Sequence, residues 1–246
     1  MLTKEEIETL DNEGYLFLGE LLTQTQVEEV NNRLAQLMAS EGEEAGAELM
    51  ASKYIRHPKE EGADRLADLV NKGSIFDVFY THPRVLAGIE AVLGRQYKLS
   101  SLNYRAAKPG KGLQNLHVDW RNTVVEGAYK VCNTIWLLDN FTENNGATRI
   151  VPKTHKLSML PNEAMQDPSL EHPDEIRIKA KAGSVFIFNS HVWHGGTTNK
   201  TDKDRRSIHS YFCTREQAQQ IDQQRYITEE TKQRIGLIGQ WILDVS

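Results

Sequence analysis

Tyr97 to Ala107 reads Tyr-Lys-Leu-Ser-Ser-Leu-Asn-Tyr-Arg-Ala-Ala. The run mixes polar with apolar and aromatic side chains at short spacing and ends before Pro109-Gly110, which is the pattern of an extended strand bounded by a turn. The segments that follow share its character. Leu113–Trp120, Ala128–Asp139, Thr148–Val151, Glu175–Ala180, Ser184–Asn189 and Arg206–Cys213 are short and rich in β-branched and aromatic residues. Asn144-Asn145-Gly146, Pro173, Gly183 and Gly195-Gly196 punctuate them. About seven such strands without intervening helices predict a mainly β fold, an antiparallel sandwich or jelly roll.

On either side of this run the pattern turns helical. Thr3 with Glu6 and Thr25 with Glu28 fit capping boxes, and Val27, Val30, Leu34 and Leu37 recur at helical spacing before Gly42. Pro83 suits a first helical position, Val85, Leu86, Ile89 and Val92 make an apolar face, and Gly94 can close the helix. Residues 41 to 74 are acidic, rich in Gly and Ala and weakly patterned, and read as a loop or lid. Helical character returns from Glu216 to Asp244. The organisation expected is one domain over 1–246, with a mostly helical flank and lid at 1–96, a β core at 97–213 and a helical tail at 214–246.

Composition narrows the function. The chain has 246 residues, 39% hydrophobic and 26% charged, which is ordinary for a soluble globular protein. Its net charge is −5 and its adjacent arginines, Arg205 and Arg206, are a pair and not a patch, so nucleic acid is not an expected partner. Two cysteines, Cys132 and Cys213, provide neither a disulfide framework nor zinc spacing. The acidic start Met-Leu-Thr-Lys-Glu-Glu lacks a basic region and an apolar core, and no run approaches the ~20 apolar residues of a membrane span. A cytoplasmic protein with no membrane partner is expected. Nothing in the sequence speaks to its oligomeric state.

The chemistry centres on Leu116-His117-Val118-Asp119-Trp120. Period-2 alternation aims His117 and Asp119 at one face, where an imidazole and a carboxylate can take neighbouring positions around a metal. His194, followed by Gly195-Gly196, is a natural third ligand and would complete a 2-His-1-carboxylate face with open positions opposite. With 8 His and 12 Asp in the chain, about 0.4 His-x-Asp pairs arise by chance, so the triplet alone is equally a half-buried histidine bonded to its neighbour. His191, three residues before His194, competes for the same role.

Several weak signals, however, occur in one order. They run as Gln114-Asn115-Leu116-His117-Val118-Asp119, Asn145-Gly146-Ala147-Thr148-Arg149 with Val151-Pro152-Lys153-Thr154-His155-Lys156, Ala182-Gly183-Ser184-Val185-Phe186-Ile187-Phe188, and His194-Gly195-Gly196 through Asn199 to Arg205. With Gly14-Tyr15-Leu16-Phe17 near the start, the chain resembles the phytanoyl-CoA dioxygenase family of iron(II)/2-oxoglutarate oxygenases over most of its length. The resemblance implies a double-stranded β-helix, the cupin-like jelly roll, with flanking helices. It implies iron(II) held by His117, Asp119 and His194, with 2-oxoglutarate and O2 as co-substrates. Eleven residues beyond the distal histidine, the family's arginine for the far carboxylate falls on Arg205. Arg206 faces the other way by alternation, and Ser207, His209 and Tyr211 share the face of Arg205. Gln114 and Thr148 resemble positions that hydrogen-bond the co-substrate. Lys153 and Thr154 depart from the family's Pro-Gly-Ser-His turn, which puts the local turn shape in question. His57, His82, His172 and His209 read as surface or structural.

Asp119 stands where carrier-protein-type halogenases of related fold have a small residue, so hydroxylation or a related oxidation of a small organic molecule is implied, with succinate and CO2 formed. Two other readings use the same residues: a cupin-like hydrolase or isomerase, and a jelly-roll binding protein. A buried arginine separates them from the oxygenase, because hydrolysis needs no dicarboxylate anchor. Recognition is expected from residues 41–74 and the loop 157–175, with Tyr54, Arg56, Met159, Trp120 and Arg121 as possible contacts.

Overall fold

The computed structural model describes residues 1–55 and 60–246; Arg56 and His57 lie outside the described residues. Nine strands form two antiparallel sheets: β1 (Tyr15–Glu20), β2 (Ala63–Leu66), β3 (Tyr97–Ala107), β4 (Val131–Leu137), β5 (Thr148–Val151), β6 (Ile176–Arg177), β7 (Ser184–Asn189), β8 (Trp193–Gly196) and β9 (Arg205–Thr214). The large sheet has the order β1-β7-β4-β9-β3-β2 and the small one β6-β5-β8. This is the double-stranded β-helix expected, mainly β with flanking helices. The helices are α1 (Lys4–Glu13), α2 (Gln24–Glu41), α3 (Ala47–Met50), α4 (Val78–Thr81), α5 (Pro83–Leu93), α6 (Pro161–Ala164), α7 (Gln223–Tyr226) and α8 (Glu229–Leu243). Among the described residues, no helix is long and apolar enough to cross a membrane.

Alternation along the central strands explains how the site is positioned. Leu102, Tyr104 and Ala106 of β3, Cys132 and Trp136 of β4, and Ile208 and Phe212 of β9 join Leu10, Val27, Leu34, Val85 and Ile89 in one core, so this sheet face is covered by helices. The intervening residues Ser101, Asn103 and Arg105, Asn133 and Ile135, and His209 and Tyr211 line a cavity that faces the small sheet. Here the polar positions look inward onto a cavity and the apolar positions outward onto helices. Pairing holds them level, with Asn103 opposite His209, Arg105 opposite Ser207 and Asn133 opposite Tyr211.

Several boundaries differ from expectation. Leu113–Trp120 is not a strand; it is tied to β8 at the bridge between His117 and His194 and at Gln114 on the Gly196 carbonyl, while Leu116 and Asp119 donate to the scattered carbonyls of Pro168 and Ser190. Residues 41–74 are more built than a loop: they hold β2 and short helical turns, and Leu66, Ala67, Leu69 and Val70 are fully buried. The strands β1 and β2 lie outside 97–213. The second capping box uses Thr23 with Gln26 and not Thr25 with Glu28, since Thr23 has the extended backbone a cap requires. In the tail, α8 is broken at Gly236, whose φ is 62. In the altered turn Lys153 takes the left-handed conformation (φ 69) and His155 is buried against the carbonyl of Asp11 at 2.9 Å.

Candidate functional site

His117 and His194 are joined through their backbones before their side chains meet. Each donates its N–H to the other's carbonyl, at 2.9 and 3.0 Å, which stacks the rings 4.5 Å apart. The glycines after His194 permit this approach. A Cβ on Gly195 would lie 3.0 Å from the carbonyl oxygens of Gln114 and Asn115, and one on Gly196 would run into that of Gly112. The space left by the missing side chains is therefore filled by the backbone leading into His117, and not left open around the site. Gln114 completes the lock, its Oε1 accepting from the N–H of Gly196 at 3.0 Å while the residue also lines the cavity.

The two imidazoles and Asp119 place one ligand atom each within 4.8 Å of one another, a group that could hold a metal ion. The tautomers suit it. Nδ1 of His117 lies 2.8 Å from the carbonyl of Asn115 and Nδ1 of His194 lies 2.8 Å from that of Val192, so both Nδ1 atoms carry the proton and both Nε2 atoms turn to Asp119. Oδ1 of Asp119 is 3.8 Å from Nε2 of His117 and 3.5 Å from Nε2 of His194. Its other oxygen accepts from Nδ2 of Asn133 at 3.4 Å, and the hydroxyl of Tyr211 donates to its backbone carbonyl at 3.2 Å. Burial opposes the charge on Asp119, but His194 and His117, once protonated on Nε2 as well, outweigh it and hold the carboxyl well below the usual range. His191 takes no part. Its Nε2 accepts from the N–H of Lys130 at 3.1 Å, and burial lowers its pKa to about 4.

Arg205 and Arg206 are separated by what each side chain meets. Arg206 lies on the outer face, clasped by Asp139 through Nε at 2.9 Å and Nη2 at 2.5 Å. Arg205 is 1% exposed and has no carboxylate partner among the described residues. It donates to the Gly146 carbonyl at 2.8 Å and Ser207 Oγ at 3.1 Å, stacks 4.5 Å from the ring of Phe141, and leaves Nε without an acceptor. Burial pulls its pKa to about 9, with repulsion from Arg105 adding to the shift, so it remains a cation at neutral pH. A buried guanidinium with no carboxylate in contact, and only the longer-range pull of Asp139 and Glu60, is costly, and a carboxylate reaching it would relieve that cost.

Other residues of the cavity escaped the sequence reading. His209, expected to be structural, lines the cavity; its Nε2 lies 3.1 Å from Ser207 Oγ, and burial with nearby Arg105, Arg205 and Arg65 pushes its pKa to about 3. It is a neutral ring in a cationic surround. His82 and His172 are structural as expected, each accepting from a nearby backbone N–H. Thr148 lines the cavity from β5, and Tyr54 lines it from the 41–74 segment. Asn133 was detectable in principle, as an amide in a strand whose neighbours are all buried. Arg65 and Arg105 line the cavity too and share one acid, Glu60, with Nη2 of Arg65 at 2.7 Å and Nε of Arg105 at 3.0 Å from its oxygens.

Burial raises and the two guanidinia lower the pKa of Glu60, and the cations win, bringing it to about 2. A depressed carboxylate stabilises the fold fully above its unfolded value, near 4.5, and loses that contribution as pH falls through the folded one. The shift corresponds to about 3 kcal/mol. Glu60→Gln is expected to lose about that much stability in urea denaturation at pH 7, and the gap between variant and wild type to narrow toward pH 3. A gap independent of pH would show that the clasp contributes no charge stabilisation.

Residues 10–207 match the family model described as phytanoyl-CoA dioxygenase. Among similar curated proteins, an uncharacterized protein of Mycobacterium tuberculosis is 26% identical over 85% of this chain and 74% of its own length. The dioxygenase FUM3 of Gibberella moniliformis is 25% identical over 82% of this chain and 69% of its own, and human peroxisomal phytanoyl-CoA dioxygenase is 20% identical over 87% and 69%. Among solved structures, HygX of Streptomyces hygroscopicus with nickel and 2-oxoglutarate bound aligns with a TM-score of 0.69 at 17% identity, covering 89% of both chains. HygX has also been solved with iron, and with hygromycin B.

Proposed function

We propose that this chain, which belongs to the phytanoyl-CoA dioxygenase family, binds iron(II) through His117, Asp119 and His194 and couples decarboxylation of 2-oxoglutarate to oxidation of a small organic molecule. Membership makes it a dioxygenase; the ligand assignment, the substrate class and the products are the further step. The observation that carries it is Arg205: a buried cation with an unused donor and no acid of its own, on the strand that runs past the metal ligands. A hydrolase or isomerase built on the same three ligands has no use for such a group.

Bound there, iron(II) with 2-oxoglutarate supplies oxygen activation, and the balance is one O2 and one 2-oxoglutarate consumed per hydroxylation, with succinate and CO2 released. The residues of the chain do the rest. Arg205 anchors the far carboxylate by a charge-assisted pair. Asn133 holds one oxygen of Asp119 so that only Oδ1 faces the histidines, which keeps the carboxylate to a single ligand position. Thr148 and neutral His209 line the cavity beside the metal ligands, with Arg205 buried behind that lining two residues from Ser207, which bonds His209. Gln114 is chiefly a strut, since its Oε1 is already engaged with Gly196.

Anaerobic titration of the apoprotein with iron(II) and 2-oxoglutarate tests this without knowledge of the substrate. A saturable visible charge-transfer band is expected, with a one-to-one requirement for both components. Metal binding with no band would return the chain to the hydrolase or isomerase reading, and failure to bind metal would remove the three ligands from consideration.

A further inference from the structure

The cavity holding His117 and His194 adjoins a second one of ≈ 220 Å³, and Tyr54, Asp119, Tyr211 and Gln220 line both. Asp119 thus stands at a partition. On one side are the histidines, Thr148, Arg105 and His209; on the other are Trp120, Arg121, Val131, Ser100 and Gln217. The second cavity is smaller than the ~300–1,000 Å³ typical of drug-sized ligands, so it suits a compact molecule. One wall is apolar, with Trp120 packed against Val131, Tyr211 and Cys213.

Its polar lining offers donors from Arg121 and Gln220 beside the mixed groups of Ser100 and Gln217. Asn103 Nδ2 donates to Ser101 Oγ at 3.0 Å, so the Ser101 hydroxyl must donate onward to Gln220 Oε1 at 2.6 Å. That relay fixes the amide and leaves Nε2 of Gln220 as its free donor, with no acceptor among the described residues. Arg121 lines the cavity and donates to the carbonyl of Lys53 at 3.3 Å, and Nζ of Lys53 lies 5.2 Å over the ring of Tyr54, another lining residue. Neither cation has an ion-pair partner among the described residues. The lining carries no acid except Asp119, whose Oδ1 is turned to the two histidines and to the metal the three would hold. A cationic substrate would meet the like charges of Arg121 and nearby Lys53, with Asp119 the one carboxylate of the lining and already turned to the histidines; an anion would meet two opposite charges.

We propose that this second cavity is the primary-substrate site and that it selects a compact organic acid. Its apolar body lies on Trp120 and Val131, its anionic group is held by Arg121, and Gln220 donates to an acceptor close to the partition. This rests on the oxygenase reading, which the charge-transfer titration tests separately. A panel of small arylalkyl and branched aliphatic carboxylates, each with its matched primary amide and amine, would be screened for stimulation of succinate release by the iron-loaded enzyme. Quenching of tryptophan fluorescence would serve as a binding readout independent of turnover.

Stimulation and quenching are expected from acids, with matched amides at least about tenfold weaker and amines inactive, and with the preference shrinking as salt rises. In Arg121→Gln the half-stimulating concentration of an acid should rise about tenfold while that of its amide stays put. Equal responses to acid and amide, a preference for amines, or no response to any acid in an enzyme that gives the charge-transfer band would each overturn the assignment.

Discussion

Asp119→Ala is expected to reduce succinate formation more than about a thousandfold and to weaken iron(II) binding at least about a hundredfold, since a ligand matters more than the ~10–100-fold of an outer partner. The fold should survive. The bridge that sets His117 against His194 is made by backbone groups, and the hydroxyl of Tyr211 bonds the backbone carbonyl of residue 119 and not its side chain. The thermal midpoint of the apoprotein should therefore stay close to wild type, which separates loss of metal from loss of structure. Asp119→Asn keeps the volume but turns an amide toward the histidines and toward Nδ2 of Asn133, and should bind metal no better than alanine. Succinate release comparable to wild type in either variant would remove Asp119 from the site. Loss of turnover with unaltered metal affinity would make it a group that acts on substrate and not on iron.

The β core was readable where a strand is buried on both faces. Tyr97–Ala107, Thr148–Val151 and Ser184–Asn189 occur with the boundaries that their composition predicts, because β-branched and aromatic residues in short runs have few other places to go. What escaped detection is local structure held by distant partners. Tyr15–Glu20 is a strand through its pairing with Ser184–Asn189, and Ala63–Leu66 through its pairing with the end of β3; neither has a periodic pattern of its own. The segment before Trp120 errs in the opposite direction: it alternates like a strand, yet its hydrogen bonds are shared among unrelated carbonyls, as those of a segment threading into a site must be.

The cluster of His117, Asp119 and His194 was visible because a metal demands particular side chains at particular spacing, and the resemblance supplied their order. The cavity wall was not. Asn133, Arg65 and Glu60 come from three different parts of the chain, and their meeting depends on strand register and on the fold of residues 41–74. His209 was misjudged for the same reason: a histidine on a strand is structural or site-lining according to which sheet face it occupies, and the face follows from its pairing with Asn103. The Gly195-Gly196 signal was given the wrong physical reason. The glycines matter because backbone, and not a ligand, occupies the space beside them.

Arg205→Ala is expected to raise the 2-oxoglutarate concentration needed for half-maximal turnover about 100- to 1,000-fold, the ~3–4 kcal/mol associated with breaking a desolvated charge pair. The guanidinium is 1% exposed, so no solvent would screen the pair it makes. The variant relieves an uncompensated buried charge in the free protein, and its thermal midpoint should be equal to or above that of wild type. That combination, a more stable protein with a much weaker co-substrate site, is the signature of a group retained for binding. Arg206→Ala should behave in the opposite way, losing stability through Asp139 while keeping the wild-type requirement for 2-oxoglutarate. A further comparison isolates the far carboxylate. Wild type should prefer 2-oxoglutarate strongly over a monocarboxylic 2-oxoacid of similar length, and Arg205→Ala should lose most of that preference, because it has nothing left to read the second acid. If Arg205→Ala keeps the preference, the anchor lies elsewhere in the cavity, and Arg105, which lines it directly and borders Ser207 across the strands, would be the next to change.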